Sequence, residues 1–137
     1  MRRFHLIVGL GGVAAFLASG LYMHFLHDHL RGMSDARRLL YRSTHIYLLL
    51  ASLANIAYGL YARPAPVWRR YCQTIGSCLI LAGPPLLAGA FLTEPWLTDL
   101  DRPYTRPAIW SCLAGTVLHL LSQVPALSAS QDSSSAS

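Results

Sequence analysis

Four stretches of the chain, at about 4–26, 44–62, 74–92 and 107–124, are apolar and nearly free of charge, and the polar residues gather in short blocks between them. A helix rises about 1.5 Å per residue, so roughly 20 mostly apolar residues cross a hydrocarbon core of about 30 Å. The pattern predicts an all-α fold: an integral membrane four-helix bundle over 1–127, with short loops and a disordered C-terminal tail. That tail, SASQDSSSAS at 128–137, has no apolar period with which to join a core.

At 100° per residue, His5, Gly9, Gly12, Phe16, Met23 and His27 fall on one face of the first helix, with Gly20 and His24 at its edge. His45, Ser52 and Gly59 recur at every seventh position of the second, with Asn55 nearby. Gly76, Gly83 and Ala90 do the same in the third, and Ala108, Cys112, Gly115, His119 and Ser122 line one side of the fourth. Membrane helices have no hydrophobic drive to associate, so rows of small residues let their backbones approach and gain van der Waals contact. Asn55 and Gln73 read as polar residues that bridge helices.

The connections carry their own signals. Ser34 and Asp35 suit the N-cap of a helix starting DARRLLYRS, which makes the second span the membrane half of a longer helix. ARPAPVWRR, Ala62 to Arg70, reads as a Pro-interrupted turn. Gly83, Pro84 and Pro85 predict a break in the third helix, tolerated in lipid only where neighbouring helices cover it. MRR, an apolar run and Ala18, Ser19, Gly20 have the elements of a signal peptide, but the run continues to Phe25, which favours a first span.

Composition sharpens the class. Of 137 residues 53% are apolar and 12% charged, a membrane-protein balance. All 11 basic residues are Arg and nearly all lie at helix ends, so the formal +5 points to lipid headgroups and excludes a nucleic-acid partner. The count is balanced between the two ends, with Arg2, Arg3, Arg63, Arg69 and Arg70 at end A and Arg31, Arg37, Arg38, Arg42, Arg102 and Arg106 at end B. The expected location is the inner (cytoplasmic) membrane, multi-pass, as a homo-oligomer or a subunit of a membrane complex. Cys72, Cys78 and Cys112 have no CxxC spacing and read as packing residues.

Candidate chemistry rests on histidine, four of the six lying between Leu21 and Tyr47. Up-and-down topology puts His5 and His119 near end A, and His24, His27, His29 and His45 near end B. Two imidazoles from different helices, flanked by small residues, suit the axial positions of a haem b, with Arg38 and Arg42 placed for its propionates. The pairs would be His45 with His24 or His27, and His5 with His119. This arrangement resembles the general plan of di-haem, four-helix membrane b-type cytochromes, without the second histidine on the fourth helix; the resemblance implies electron transfer in the membrane.

A second reading takes MHFLHDH as a transition-metal block: His24, His27, Asp28 and His29, completed by His45 and by Met23 or Met33. Imidazole with thioether suits copper, and imidazole with carboxylate suits zinc or iron. Glu94, Asp99 and Asp101 read as solvated carboxylates balancing Arg102 and Arg106. The general expectation is an accessory or scaffolding membrane protein, with haem-mediated electron transfer as its most specific chemistry. A small transporter component, suggested by the Gly83-Pro84-Pro85 break, is an alternative.

Overall fold

Long runs rich in Leu, Ala and Ile favour helix throughout, and what varies is how each run is stopped. The computed structural model describes residues 1–61, 67–97 and 100–134, the side chains of 68 and 123–134 excepted. Helix α1 spans Arg2–Leu21 and runs on into a π-helical turn, Tyr22–Leu26. A short 3-10 turn, Asp28–Leu30, leads to α2, Asp35–Tyr61, whose first turn is capped where the Arg37 amide reaches Ser34 Oγ at 3.5 Å. Helix α3, Arg70–Thr93, ends in the 3-10 turn Glu94–Trp96, and α4 covers Thr105–Ser134. The turn expected at 62–66, and Asp99, lie outside the described residues.

Helix α1 packs along α2, and α4 along α3, while α2 and α3 meet across the middle. The approach is set by glycine. A Cβ on Gly76 would stand 2.9 Å from the Gly115 carbonyl oxygen, and one on Gly115 would stand 2.6 Å from the Gly76 oxygen. On the other side of the bundle, a Cβ on Gly59 would meet Leu6 Cγ at 2.6 Å. Gly12 lies directly against Ser52. The small-residue faces expected from the sequence are the buried faces: Gly9, Gly12, Ser52, Gly59, Gly76, Gly83, Ala90, Ala108 and Gly115 are all covered.

Helix α3 runs on through Gly83, Pro84 and Pro85, and a neighbouring helix covers the gap in its hydrogen-bond ladder. Pro84 has no N–H for the Ile80 carbonyl, four residues back, but Asn55 of α2 donates to that oxygen at 3.0 Å. The same device recurs in α4. Pro125 leaves the Leu121 carbonyl without its helical donor, and Arg69 supplies one from Nη1 at 3.0 Å. Helical backbone is described as far as Ser134, with neither glycine nor proline after Pro125.

The interior mixes apolar and polar side chains: Leu40, Tyr41, Leu48, Ile80 and Leu87 are buried beside a set of polar residues. His5, Ser19, Thr44, Ser52, Asn55, Ser77, Glu94, Thr105, His119 and Ser122 are buried. Large apolar side chains point outward from every helix, among them Ile7, Leu10, Leu17, Leu50, Leu53, Ile75, Leu92, Leu113, Val117 and Leu120. Among the described residues, two helical stretches, Arg2–Leu26 and Arg70–Trp96, are long and apolar enough to cross a membrane.

Candidate functional site

The histidines fall into two groups at opposite ends of the bundle, and only His5 and His119, at end A, are buried. At end A, His5 sits in the second turn of α1, where Gly9 lets α1 lie against α2. Asn55 of α2 spends both amide hydrogens on carbonyls, that of Ala51 at 2.9 Å and that of Ile80 at 3.0 Å. Its Oδ1 is then an acceptor, so His5 Nδ1–H donates to it at 2.9 Å and the neutral His5 ring carries its lone pair on Nε2. That nitrogen is buried and has no hydrogen-bond partner.

His119 enters the same cluster from α4. Its Nε2 shares a hydrogen bond with Ser77 Oγ of α3 at 3.0 Å, and the His5 and His119 ring centroids lie 6.5 Å apart at 74°. Tyr58 of α2 packs on both, 4.6 Å from the His119 centroid and 6.0 Å from that of His5. Arg2 closes this end, donating from Nε to Gly59 O at 3.1 Å and from Nη2 to Leu60 O at 2.9 Å, among the last carbonyls of α2. The expected pairing of His5 with His119 is thus realised as close neighbours. Gly76 and Gly115 bring α3 and α4 into backbone contact beside His119, Tyr58 lies against both rings, and each imidazole is tied to its own neighbour.

At end B the expected groupings do not form. His45 is not paired with His24 or His27. Its ring stacks on Phe16 at 4.0 Å between centroids, and its Nδ1 lies 2.8 Å from Ser19 Oγ. Ser19 gives its one hydrogen to the Phe16 carbonyl at 2.8 Å, so His45 Nδ1–H is the donor of that pair. Arg38 bonds the Met33 carbonyl at 3.2 Å and pairs with Asp35 at 3.5 Å, and Arg42 is exposed; neither is engaged with His45. The groove beside Ser19, about 240 Å³, is lined by Ala15, Ala18, Tyr22, Leu48, Ala88, Phe91 and Leu92, with no histidine in its wall.

The metal block fails for a backbone reason. The chain widens into a π turn at Tyr22 and then turns left-handed at Asp28 (φ 40°), His29 (φ 58°) and Leu30 (φ 64°), conformations that cost about 1–3 kcal/mol each outside glycine. His24 and His27 therefore do not share a helical face. His24 is exposed and meets His29 edge-on at 4.2 Å, while His27 packs on Tyr22 at 4.8 Å and Tyr41 at 5.8 Å. Asp28 is exposed and pairs with Arg31 at 3.7 Å. Among the described residues, no three His, Cys, Asp or Glu side chains stand together as a metal-ion set. What holds this end is aromatic: Tyr22, Tyr41 and Phe91 pack around Leu30, and burial, with the Tyr22 phenol beside it, pushes the Tyr41 phenol up to about 12.

Glu94 also departs from the reading as a solvated carboxylate. It is fully buried, and its Oε1 accepts from the amides of Tyr104 at 2.9 Å and Thr105 at 2.7 Å, while Thr105 Oγ1 donates to Oε2 at 2.6 Å. It thereby caps the start of α4, satisfying amides that have no partner within the helix and placing negative charge at the positive end of its dipole. Local capping patterns look one to three residues ahead of a helix, and Glu94 acts across a loop, so nothing near Thr105 in sequence signals it. Ser19 and Ser77, the partners of two histidines, are not singled out in that role by the sequence, since a lone serine in an apolar span carries no distinct signal.

No family model matches the chain, and comparison with curated proteins and with solved structures likewise finds no match.

Proposed function

We propose that the chain is a multi-pass protein of the inner (cytoplasmic) membrane, its four helices crossing the bilayer, and that it acts as an accessory or scaffolding subunit, either self-associated or within a larger membrane complex. One observation carries this reading: large apolar side chains are exposed along all four helices, while imidazole, amide, hydroxyl and carboxylate groups are buried beside an apolar core. In water that arrangement exposes far more apolar surface than a soluble monomer tolerates, whereas in lipid it costs nothing on the outside.

Two further features support it. Buried polar groups serve as helix-to-helix glue, as Asn55, Ser77 and Glu94 do. Aromatic residues Phe25, Trp96, Tyr104 and Trp110 are exposed near end B, and Tyr61 and Tyr71 near end A, the placement of interfacial belts. A scaffolding role follows from the lack of an assembled catalytic set among the described residues together with four outward apolar faces on which a neighbouring membrane protein can pack.

The test is topology with partner capture. Reporter groups placed in the Arg31–Ser34 loop and next to Asp101 are expected on one side of the membrane, and one placed at the N-terminus on the other. Extraction is expected to require detergent, and a partner captured from detergent extract is expected to stay bound when all six histidines are replaced. A chain that remains in solution without detergent overturns the membrane reading. A partner lost on replacing the histidines overturns the scaffolding role.

A further inference from the structure

The geometry points to a two-imidazole site for a single copper(I) ion, formed by His5 of α1 and His119 of α4. The first indication is the bare nitrogen. His5 is 2% exposed, and its Nε2 has no hydrogen-bond partner. A buried polar atom left in that state destabilises the fold, and a bound ligand removes that cost. The rest of the ring is arranged as in metal-ligating histidines, whose second nitrogen donates its hydrogen to a fixed oxygen that sets tautomer and orientation. Asn55 supplies that oxygen, and its own orientation is set by the two carbonyls it bonds.

His119, 4% exposed, is held in a similar way. Ser77 engages its Nε2, so the nitrogen of this ring that remains for an ion is Nδ1. Two imidazoles that share one ion, with each nitrogen about 2.0 Å from it, have ring centroids ~6.3 Å apart; here they are 6.5 Å apart. An ion occupies that gap without the open slot that a macrocycle requires.

The identity of the ion follows from count and charge. The neighbours Asn55, Tyr58 and Ser77 are neutral, and among the described residues no Asp or Glu is bonded to either ring. Zinc takes four ligands in closed sites, and a dication enclosed by neutral groups is costly. Monovalent copper accepts two nitrogen ligands and carries half the charge to be desolvated, and imidazole is among its suitable donors. The site depends on the membrane reading only for its dry surroundings.

The experiment uses the full chain in detergent micelles under anaerobic conditions, with Cu(I) delivered from a chromophoric bidentate chelator. The need for detergent is recorded before metal is added, so failure of the membrane reading is seen separately. The expected result is one Cu(I) per chain, with an X-ray absorption spectrum of two nitrogen scatterers at about 2.0 Å. His5→Ala and His119→Ala are each expected to weaken binding at least 100-fold. Ser77→Ala, which frees the His119 ring, is expected to weaken it about tenfold, and His24→Ala and His45→Ala to leave it unchanged. The site is overturned if wild-type protein takes up no Cu(I), if binding survives both His5→Ala and His119→Ala, or if the spectrum shows four ligands or sulfur. Should the alanine variants fail to fold, the wild-type spectrum and the Ser77→Ala titration still decide.

Discussion

The two ends of the bundle both bring histidines from α1 against other helices, yet they are built on opposite principles. At end A the backbone is regular helix, glycines hold the chains together, and each imidazole is aimed by a polar side chain from a neighbour: Asn55 for His5 and Ser77 for His119. At end B the backbone of α1 departs from α-geometry before its histidines are reached, and aromatic packing takes the place of hydrogen bonds around His24, His27 and His29. The difference teaches that histidine density is a poor guide to a site. The sparse pair is the ordered one, because orientation comes from the partners and not from the number of rings.

This contrast can be broken most severely at the glycines. Gly115→Leu places a branched side chain where even a Cβ lies 2.6 Å from a carbonyl oxygen, so α3 and α4 must separate at end A. A loss of about 3 kcal/mol or more is expected in thermal or denaturant unfolding in detergent. A smaller effect, about 2–3 kcal/mol, is expected for Asn55→Leu, which strands His5 Nδ1–H and the Ile80 carbonyl together. Pro84→Ala in that background restores an N–H to Ile80 and is expected to return about 1 kcal/mol; no recovery would sever the link between Asn55 and the proline.

Ser19→Ala removes only the acceptor of the half-buried His45 ring and is expected to cost about 1 kcal/mol. At the exposed turn, His24→Ala and Asp28→Ala are each expected to stay within about 0.5 kcal/mol of wild type, since the Asp28–Arg31 pair is solvated. A larger loss there would erase the distinction between the ends. The subtlest expectation concerns Tyr41, whose phenol is held protonated by burial and by Tyr22. Its contribution is complete below pH 10, the unfolded value, and is lost as pH rises through about 12. Tyr41→Phe is expected to remove this alkaline loss, and in the ultraviolet spectrum one phenolate is expected to appear later than the rest.

How far these features were legible in the chain depends on their range. The buried faces were, because helical periodicity projects Gly9, Gly12, Ser52, Gly59, Gly76, Gly83 and Gly115 onto fixed sides whatever the neighbours are. The nearness of His5 and His119 was as well, since up-and-down topology alone sets their depth. The grouping of His24, His27 and His29 failed because it assumed α-geometry through Leu30, and a π turn followed by left-handed residues leaves no local signature in LYMHFLHDHL. Glu94 was misread because its partners lie 10 and 11 residues away, beyond any capping pattern. At Pro84 the sequence showed that a neighbour must cover the freed carbonyl, but not that Asn55 is the residue that does so.

The mended prolines bear on how the chain is put together. Helix α3 by itself is an imperfect rod, in which Asn55 donates to the Ile80 oxygen that Pro84 leaves open, and α2, which brings Asn55, leaves the ribosome first. For α4 the donor Arg69 likewise precedes the Leu121 carbonyl that needs it. Each flawed segment thus emerges after the side chain that repairs it, so synthesis in chain order is also the order in which the helices become whole.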